Sequence, residues 1–378
     1  MKLLYLFLVL FTFTTASLMN SRFVSVTHGS EFDPTSGVSL GHILKDDIMT
    51  LYSAKLQQWK HYETLWDTIV ASALKQISTH APRSLQELKG MAIGMSHDSK
   101  QSVEFFMNVL LRLNTEYELL FYSQQHSSPV FFNEDVGKCT GFVLRRQKNP
   151  TFMDAFAGQN NDEQPSSWLN GTLDKVISIH YAHSNKHHFI YTHPGYLAYM
   201  GSNNEGLGIL WEYVNTGELA DLEVGGVPTQ FLIREVLFLD STEQVTEYLA
   251  NSPRFICNNF QVASLSGVAN IELTPSRENV VSMNVGDISH ANHYVFDDEM
   301  IDRDLVKSPT TVDRYKMMRK QMTRVRGDFS LERGKEVLSV EPVLNYKTLA
   351  SMVFDLKRNI MTIRFKDDND WQVYYMPK

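Results

Sequence analysis

The chain has 378 residues, 43% of them hydrophobic and 21% charged, and a formal net charge of −8. This is ordinary globular composition with ample length for a sizeable core, in one large domain or in two or three. The acidic balance argues against a nucleic-acid or anionic-membrane partner, either of which needs a basic face.

The chain starts MKLLYLFLVLFTFTTAS. Lys2 supplies a positive end, Leu3 to Phe13 an apolar core, and Thr14-Thr15-Ala16 a small-residue cleavage site. The apolar run is shorter than the ~20 residues of a spanning helix, so residues 1–16 read as a secretory signal peptide. No second apolar run is that long, and the mature protein is expected to be soluble, in a secreted or lysosomal (endomembrane lumen) setting. In that setting the sequon Asn170-Gly171-Thr172 is a candidate glycosylation site, although single sequons also arise by chance.

From Ile43 to Ile77 apolar residues recur at spacings of three and four, which predicts one long amphipathic helix stopped by Pro82. A second helical stretch runs from Ser84 to Tyr122, with an interruption expected at Gly90 to Gly94. Polar Ser123 to Lys138 reads as an exposed loop. Beyond it the pattern changes to short β-like runs: Gly141–Leu144, Val176–His180, His188–Thr192, Gly208–Tyr213, Phe260–Leu265, Val268–Leu273, Val280–Val285 and His293–Phe296. Helices are expected at Pro228–Leu239, from the capping box Ser241-Thr242-Glu243-Gln244 to about Leu249, and at Thr310–Val325. Ala350–Leu356, Asn359–Phe365 and Trp371–Tyr375 read as a closing meander. A helical part, residues 17–138, therefore precedes a strand-rich part, residues 139–378, and the two suit an α+β architecture of antiparallel sheets covered by helices.

The boundary falls on Cys139, one of only two cysteines. Two cysteines make no disulfide framework, so Cys139 and Cys257 either pair or at least one is kept as a thiol. A thiol is a strong nucleophile only as thiolate and needs a base or a positive neighbour. If the Lys138–Cys139 bond were cut, the new α-amine, with an ordinary pKa near ~8, would sit on the same residue and accept the thiol proton. On these residues alone, a plain structural cysteine stands beside that reading.

Downstream lie FAGQNND (Phe156 to Asp162), YMGSNNEGLGILWEYVN (Tyr199 to Asn215), GGVPTQFLIREVLFLDSTEQVTEYL (Gly225 to Leu249), NNFQVASLSGVANIELTP (Asn258 to Pro275) and HANHYV (His290 to Val295). With Glu87 to Leu119 upstream and Ser351 to Tyr375 at the end, this ordered set resembles the penicillin acyltransferase-like branch of the N-terminal-nucleophile hydrolases. That branch includes isopenicillin N acyltransferase and the β-alanyl-amine hydrolases. The resemblance covers most of the chain from about Phe23 onward, and it rests on the order and spacing of motifs that are individually of low specificity.

The resemblance implies a four-layer αββα sandwich. It also implies an inactive precursor that cleaves itself between Lys138 and Cys139 into associated α and β chains, alone or as a homodimer of the pair. It assigns Cys139 as nucleophile, Asp162 as the carboxylate holding the nucleophile's α-amine, and Asn203 as the oxyanion donor. Asn258 or Asn259 is expected as a further active-site amide, Thr140 beside the nucleophile, and Arg234 in a role toward substrate or structure. No cofactor is implied. Two departures stand out: Lys138 occupies the place of the glycine before the cysteine, with Gly137 one residue earlier, and Ser264 occupies a position where many relatives carry an acidic residue.

Other signals compete. His180, His183, His187, His188 and His193 are spaced as zinc ligands on strands can be, but they read as a largely solvated hairpin around Ser184-Asn185-Lys186, and no metal is expected. His290 and His293 read as structural or pocket-lining, Arg314 to Arg326 as a solvated helix face, and Trp59, Tyr62 and Trp66 as core packing. The expected activity is cleavage or transfer of the acyl group of a small N-acyl amine through a Cys139 thioester. The alternatives are an acyl thioester or lipid-amide hydrolase on the same scaffold, or a silent secreted binding protein with a Cys139–Cys257 disulfide.

Overall fold

Strand β1 (Phe23–His28) precedes five helices: α1 (Val38–Trp59), α2 (Glu63–His80), α3 (Pro82–Ser96), α4 (Val103–Leu113) and α5 (Glu116–His126). The computed structural model describes residues 22–30, 32, 35–126, 139–149, 152–163 and 171–376. The expected leader at 1–16, Lys138 of the expected cleavage site and Asn170 of the sequon lie outside the described residues.

The single helix expected from Ile43 to Ile77 is broken by a tight turn at Lys60–Tyr62. The reason is packing: the Trp59 indole donates to Glu116 Oε1 at 2.8 Å and the Trp66 indole to Arg112 O at 2.9 Å. Both anchors lie around the α4–α5 junction, so α1 and α2 bend around it. Pro82 starts α3 rather than merely ending α2, a position where its missing N–H costs nothing. The interruption expected at Gly90 to Gly94 is absent, because α3 runs through both glycines. A Cβ on Gly94 would collide with the Val38 carbonyl of α1, and one on Gly41 with the Met91 backbone of α3. These glycines let two helix backbones touch.

The strand-rich part contains β2 (Thr140–Asn149), β3 (Phe152–Asp162), β4 (Lys175–Tyr181), β5 (Lys186–Thr192), β6 (Met200–Asn203) and β7 (Gly208–Glu212). After α6 (Thr229–Val236) and α7 (Thr242–Asn251) come β8 (Asn258–Ala263), β9 (Val268–Leu273), β10 (Glu278–Met283) and β11 (Gly286–His290). The chain closes with α8 (Asp298–Asp302), α9 (Pro309–Val325), α10 (Leu331–Leu338) and the meander β12 (Thr348–Asp355), β13 (Ile360–Phe365) and β14 (Gln372–Tyr375). The expected cap of α7 is present, with Ser241 Oγ accepting from Gln244 N. The expected strand His293–Phe296 is not formed. The N–H groups of Tyr294, Val295 and Phe296 go to the carboxylates of Asp304 and Glu272 instead of a ladder, and the strand that pairs there is β11.

One sheet has the order β1-β4-β5-β6-β7-β8-β9-β10 and the other β11-β2-β3-β12-β13-β14. Only β1–β4 is a parallel pair among them. Helices α9 and α10 cover the outer face of the six-stranded sheet, where Phe142, Leu144, Phe156 and Val353 pack on Met318, Met322, Val325, Val337 and Leu338. Each such fully buried side chain contributes roughly 1.5–3 kcal/mol. The helices α1 to α6 lie outside the eight-stranded sheet, which gives an α+β fold of four layers, αββα.

Candidate active site

Side chains alternate along β2 and β3, and the alternation places the site. Thr140, Phe142 and Leu144 face α9 and α10, whereas Gly141 and Val143 face the other sheet. On β3, Asn160 donates to Leu338 O and Val343 O in the outer layer, while Gln159 donates across to Trp211 O of β7 at 2.8 Å. The β2–β3 register pairs Thr140 with Asn160, so Cys139, just before β2, lies across from Asn161.

Cys139 is 5% exposed, and its Sγ donates to Asn161 Oδ1 at 3.5 Å. Asp162 is brought to the same place. Its backbone N–H bonds to the sulfur, and its carboxylate is held by Thr348 Oγ1 at 2.6 Å and Asn345 Nδ2 at 2.7 Å. Burial pushes the Cys139 thiol well above its ordinary range, and the charges of Asp162, Glu163 and Glu212 push it further. As folded, the group is a thiol and not a thiolate.

Arg314 of α9 closes the site from outside. Its Nη1 donates to Cys139 O at 2.5 Å and to Thr140 Oγ1, and its Nη2 donates to Asn292 Oδ1 at 3.0 Å. Asn292 in turn donates to Tyr213 O at 3.0 Å. Thr140 thus faces α9, where it helps hold the strand end. The basic run expected to be a solvated face is partly buried: Thr311, Arg314, Met318, Met322 and Val325 form one inward stripe at helical spacing. That stripe was the available signal for Arg314.

The inner face of Gly141 is crowded by acceptors. A Cβ there would lie 2.5 Å from Glu212 Oε1 and 2.6 Å from Gln261 Oε1. Among the described residues neither oxygen has a hydrogen-bond partner, nor does Gln159 Oε1. Burial raises the Glu212 carboxyl to about 7, against the opposing pull of His290 and the Asn259 amide. Strand alternation sends the two asparagines to opposite faces of β8. Asn259 lies beside Glu212 and donates to its Oε2 at 2.8 Å, whereas Asn258 faces the Trp211 indole and Thr229 Oγ1.

Asn203, expected as the oxyanion donor, lies at the β6–β7 turn, where backbone groups engage its amide. Its Nδ2 donates to Leu237 O at 3.0 Å and Leu239 O at 2.7 Å, and its Oδ1 accepts from Glu205 N and Leu207 N. The amide closes the β6–β7 turn, at the opposite end of β7 from Glu212. Arg234 is wholly buried, pairs with Glu87 at 2.7 Å and bonds to His188 Nδ1 and Tyr181 OH.

The histidine hairpin is less solvated than expected. His183 is exposed and His180 half-buried, but His187, His188 and His193 are buried. No group of three or more metal-ligating side chains occurs among the described residues. His193 pairs with Asp174 at 2.6 Å. His290 bonds Glu272 at 3.1 Å and Ala291 O, and His293 bonds Thr311 Oγ1 at 3.1 Å. Both cysteines are free thiols, and Cys257 packs with Val214, Tyr294 and Met300, so the disulfide alternative is not formed.

The profile of the family described as acyl-coenzyme A:6-aminopenicillanic acid acyl-transferase matches residues 147–370, a span that starts beyond Cys139 and includes Asp162. No curated protein sequence matches the chain. Among solved structures, a Caenorhabditis elegans ortholog of N-acylethanolamine-hydrolyzing acid amidase is similar over 63% of this chain and 100% of its own, at 17% identity and a TM-score of 0.45. Penicillin V acylase from Agrobacterium tumefaciens matches 63% of this chain and 86% of its own, at 12% identity and a TM-score of 0.40. A mutant conjugated bile acid hydrolase from Clostridium perfringens matches 63% and 84%, at 14% identity and a TM-score of 0.36. With more than half of its length matched by the family profile, this chain belongs to the acyl-coenzyme A:6-aminopenicillanic acid acyl-transferase family, in the N-terminal-nucleophile hydrolase branch.

Proposed function

We propose that the chain is a self-processing cysteine amidohydrolase or acyltransferase of a secreted or lysosomal compartment, with Cys139 as its nucleophile. The observation that carries this reading is a buried thiol at the head of a central strand, held by Asn161 and Asp162, with its own carbonyl clamped by Arg314. The nearby imidazoles of His193 and His290 are committed to Asp174 and Glu272. The base that suits this arrangement is the α-amine that cleavage before Cys139 would create.

In processing, Sγ attacks the Lys138 carbonyl, the peptide C–N bond breaks to free the Cys139 amine, and water hydrolyses the resulting thioester. In turnover, the amine takes the thiol proton and Sγ attacks the substrate amide. The leaving amine departs with that proton, and water or an acceptor amine resolves the acyl-thioester. The Asp162 backbone N–H is a fixed donor beside the reacting atoms, and the Asp162 carboxylate stabilises the protonated α-amine. The substrate class is a small N-acyl amine. Because the family description names acyl-coenzyme A, an acyl thioester is the second arm of a substrate screen.

The test is a denaturing gel and intact mass of purified protein, beside Cys139→Ala. Two fragments meeting at Lys138/Cys139, and an inert single chain in the variant, are expected. Cleavage or undiminished amidase activity in Cys139→Ala would overturn the assignment.

A further inference from the structure

A run of hydrogen bonds leads from the Cys139 sulfur to a buried ion pair that the chemistry above does not use. Sγ donates to Asn161 Oδ1 at 3.5 Å, Asn161 Nδ2 donates to Tyr191 OH at 3.1 Å, and Tyr191 OH donates to Asp174 Oδ2 at 2.5 Å. Asp174 Oδ1 meets His193 Nδ1 at 2.6 Å. All four residues beyond the cysteine are buried.

We propose that Tyr191, Asp174 and His193 are positioning residues that fix which end of the Asn161 amide faces Cys139, and so hold the thiol protonated until a base arrives. The direction of each bond follows from what each group can give. A carboxylate only accepts, so the single hydroxyl proton of Tyr191 goes to Asp174. That leaves the Tyr191 oxygen as an acceptor, and the group of Asn161 able to fill it is Nδ2. The amide oxygen must then point at the sulfur. An oxygen there welcomes an S–H and repels a thiolate.

The electrostatics agree. Burial and the adjacent Asp174 raise Tyr191 well above its ordinary range, so it keeps its proton. Burial pushes His193 down, but Asp174 and Glu163 outweigh it and bring it up to about 9, so the imidazolium is retained at neutral pH. The other charged or titratable groups acting on Cys139 are Asp162 at the end of β3, Glu163 just after it, Glu212 of β7, Tyr117 of α5 and Arg314 of α9. None of these is altered in the variants below.

The inference deepens the assignment of Cys139 as nucleophile and rests on it, but its readout needs no turnover. The experiment is the pH midpoint of Cys139 alkylation by iodoacetamide in the full chain as purified, followed by peptide mass so that Cys257 is scored separately. In Asp174→Asn, the new amide donates to Tyr191, whose proton is freed for Asn161, and Asn161 turns its N–H to the sulfur. The midpoint should fall by about one unit, seen as roughly tenfold faster alkylation at a fixed pH below it. Tyr191→Phe keeps the Asp174 charge, removes one hydroxyl and releases the amide, and should lower the midpoint by a smaller amount, about threefold in rate. A shift in Asp174→Asn with none in a folded Tyr191→Phe would mean a bare loss of charge and would overturn the relay. If Asp174→Asn does not fold, Tyr191→Phe alone decides. Retained amidase activity in Cys139→Ala would sink the nucleophile assignment instead, and the alkylation midpoints would not be involved.

Discussion

The two ends of β7 carry polar clusters that are equally buried and differently finished. At the β6–β7 turn, every hydrogen-bonding position of Asn203 is occupied by backbone, and Arg234 is shared among Glu87, His188 and Tyr181, with only His188 Nε2 left over. At the other end, Glu212 Oε1, Gln261 Oε1 and Gln159 Oε1 lack partners among the described residues, and they lie on the inner side of the sheet beside the strand that Cys139 heads. A polar cluster that satisfies itself fixes the fold. One whose buried acceptors stay open among the described residues beside a thiol is a place where a further donor can fit.

The contrast can be broken experimentally. The largest effect is expected from Arg234→Ala, which strands buried Glu87 and should cost about 3–5 kcal/mol in chemical denaturation. Protein that remains folded should keep its Cys139 alkylation profile; a changed profile would tie the two clusters together. Next, Arg314→Lys loses the fork that spans Cys139 O, Thr140 and Asn292; with Cys139 as the nucleophile proposed above, a shift of its sulfur by about 1 Å would slow the proposed processing and turnover roughly 10²-fold. An unchanged rate would remove Arg314 from the site.

Asn203→Ala should cost about 1–3 kcal/mol, because the Leu237 and Leu239 carbonyls lose their donor. A variant of normal Tm whose kcat has fallen a hundredfold would restore Asn203 as an oxyanion donor.

The smallest expected effect is on the pH dependence of stability. Glu118 and Glu212 are raised by burial from the ordinary 4.5 to about 7, so folding favours their protonated forms and stability is lost as pH rises between those values. For His193, folding instead favours the charged form, raised from 6.5 to about 9; its contribution is complete below 6.5 and lost as pH rises through 9. Both act in the same direction, and Tm should fall between pH 5 and pH 9. A Tm that rises over this interval would contradict these shifts.

Strands with clean apolar runs were legible in the sequence, and Val268–Leu273 was read to the residue. β3 was not, although it carries Asp162: its second half reads Gln-Asn-Asn-Asp, polar residues that become strand only because neighbouring strands supply the ladder and each side chain meets a fixed partner. On that strand the side chain facing the Cys139 sulfur is Asn161, the neighbour of Asp162, since alternate side chains on a strand take opposite faces. Arg314 was hidden in a basic run because charge pattern alone does not show which face of a helix is buried.

By itself, the sequence determined the helical first third, most of the strands, and Cys139 as the residue at the junction. Those properties are written in periodicity and in the order of motifs. The tertiary structure alone decided that the Asn203 amide is engaged by backbone and Arg234 by buried side chains, that Asn259 rather than Asn258 sits beside Glu212, and that Arg314 grips the Cys139 carbonyl from 175 residues away along the chain. Those are questions of which face a side chain takes and what it meets there, and pairing across sheets and helices answers them.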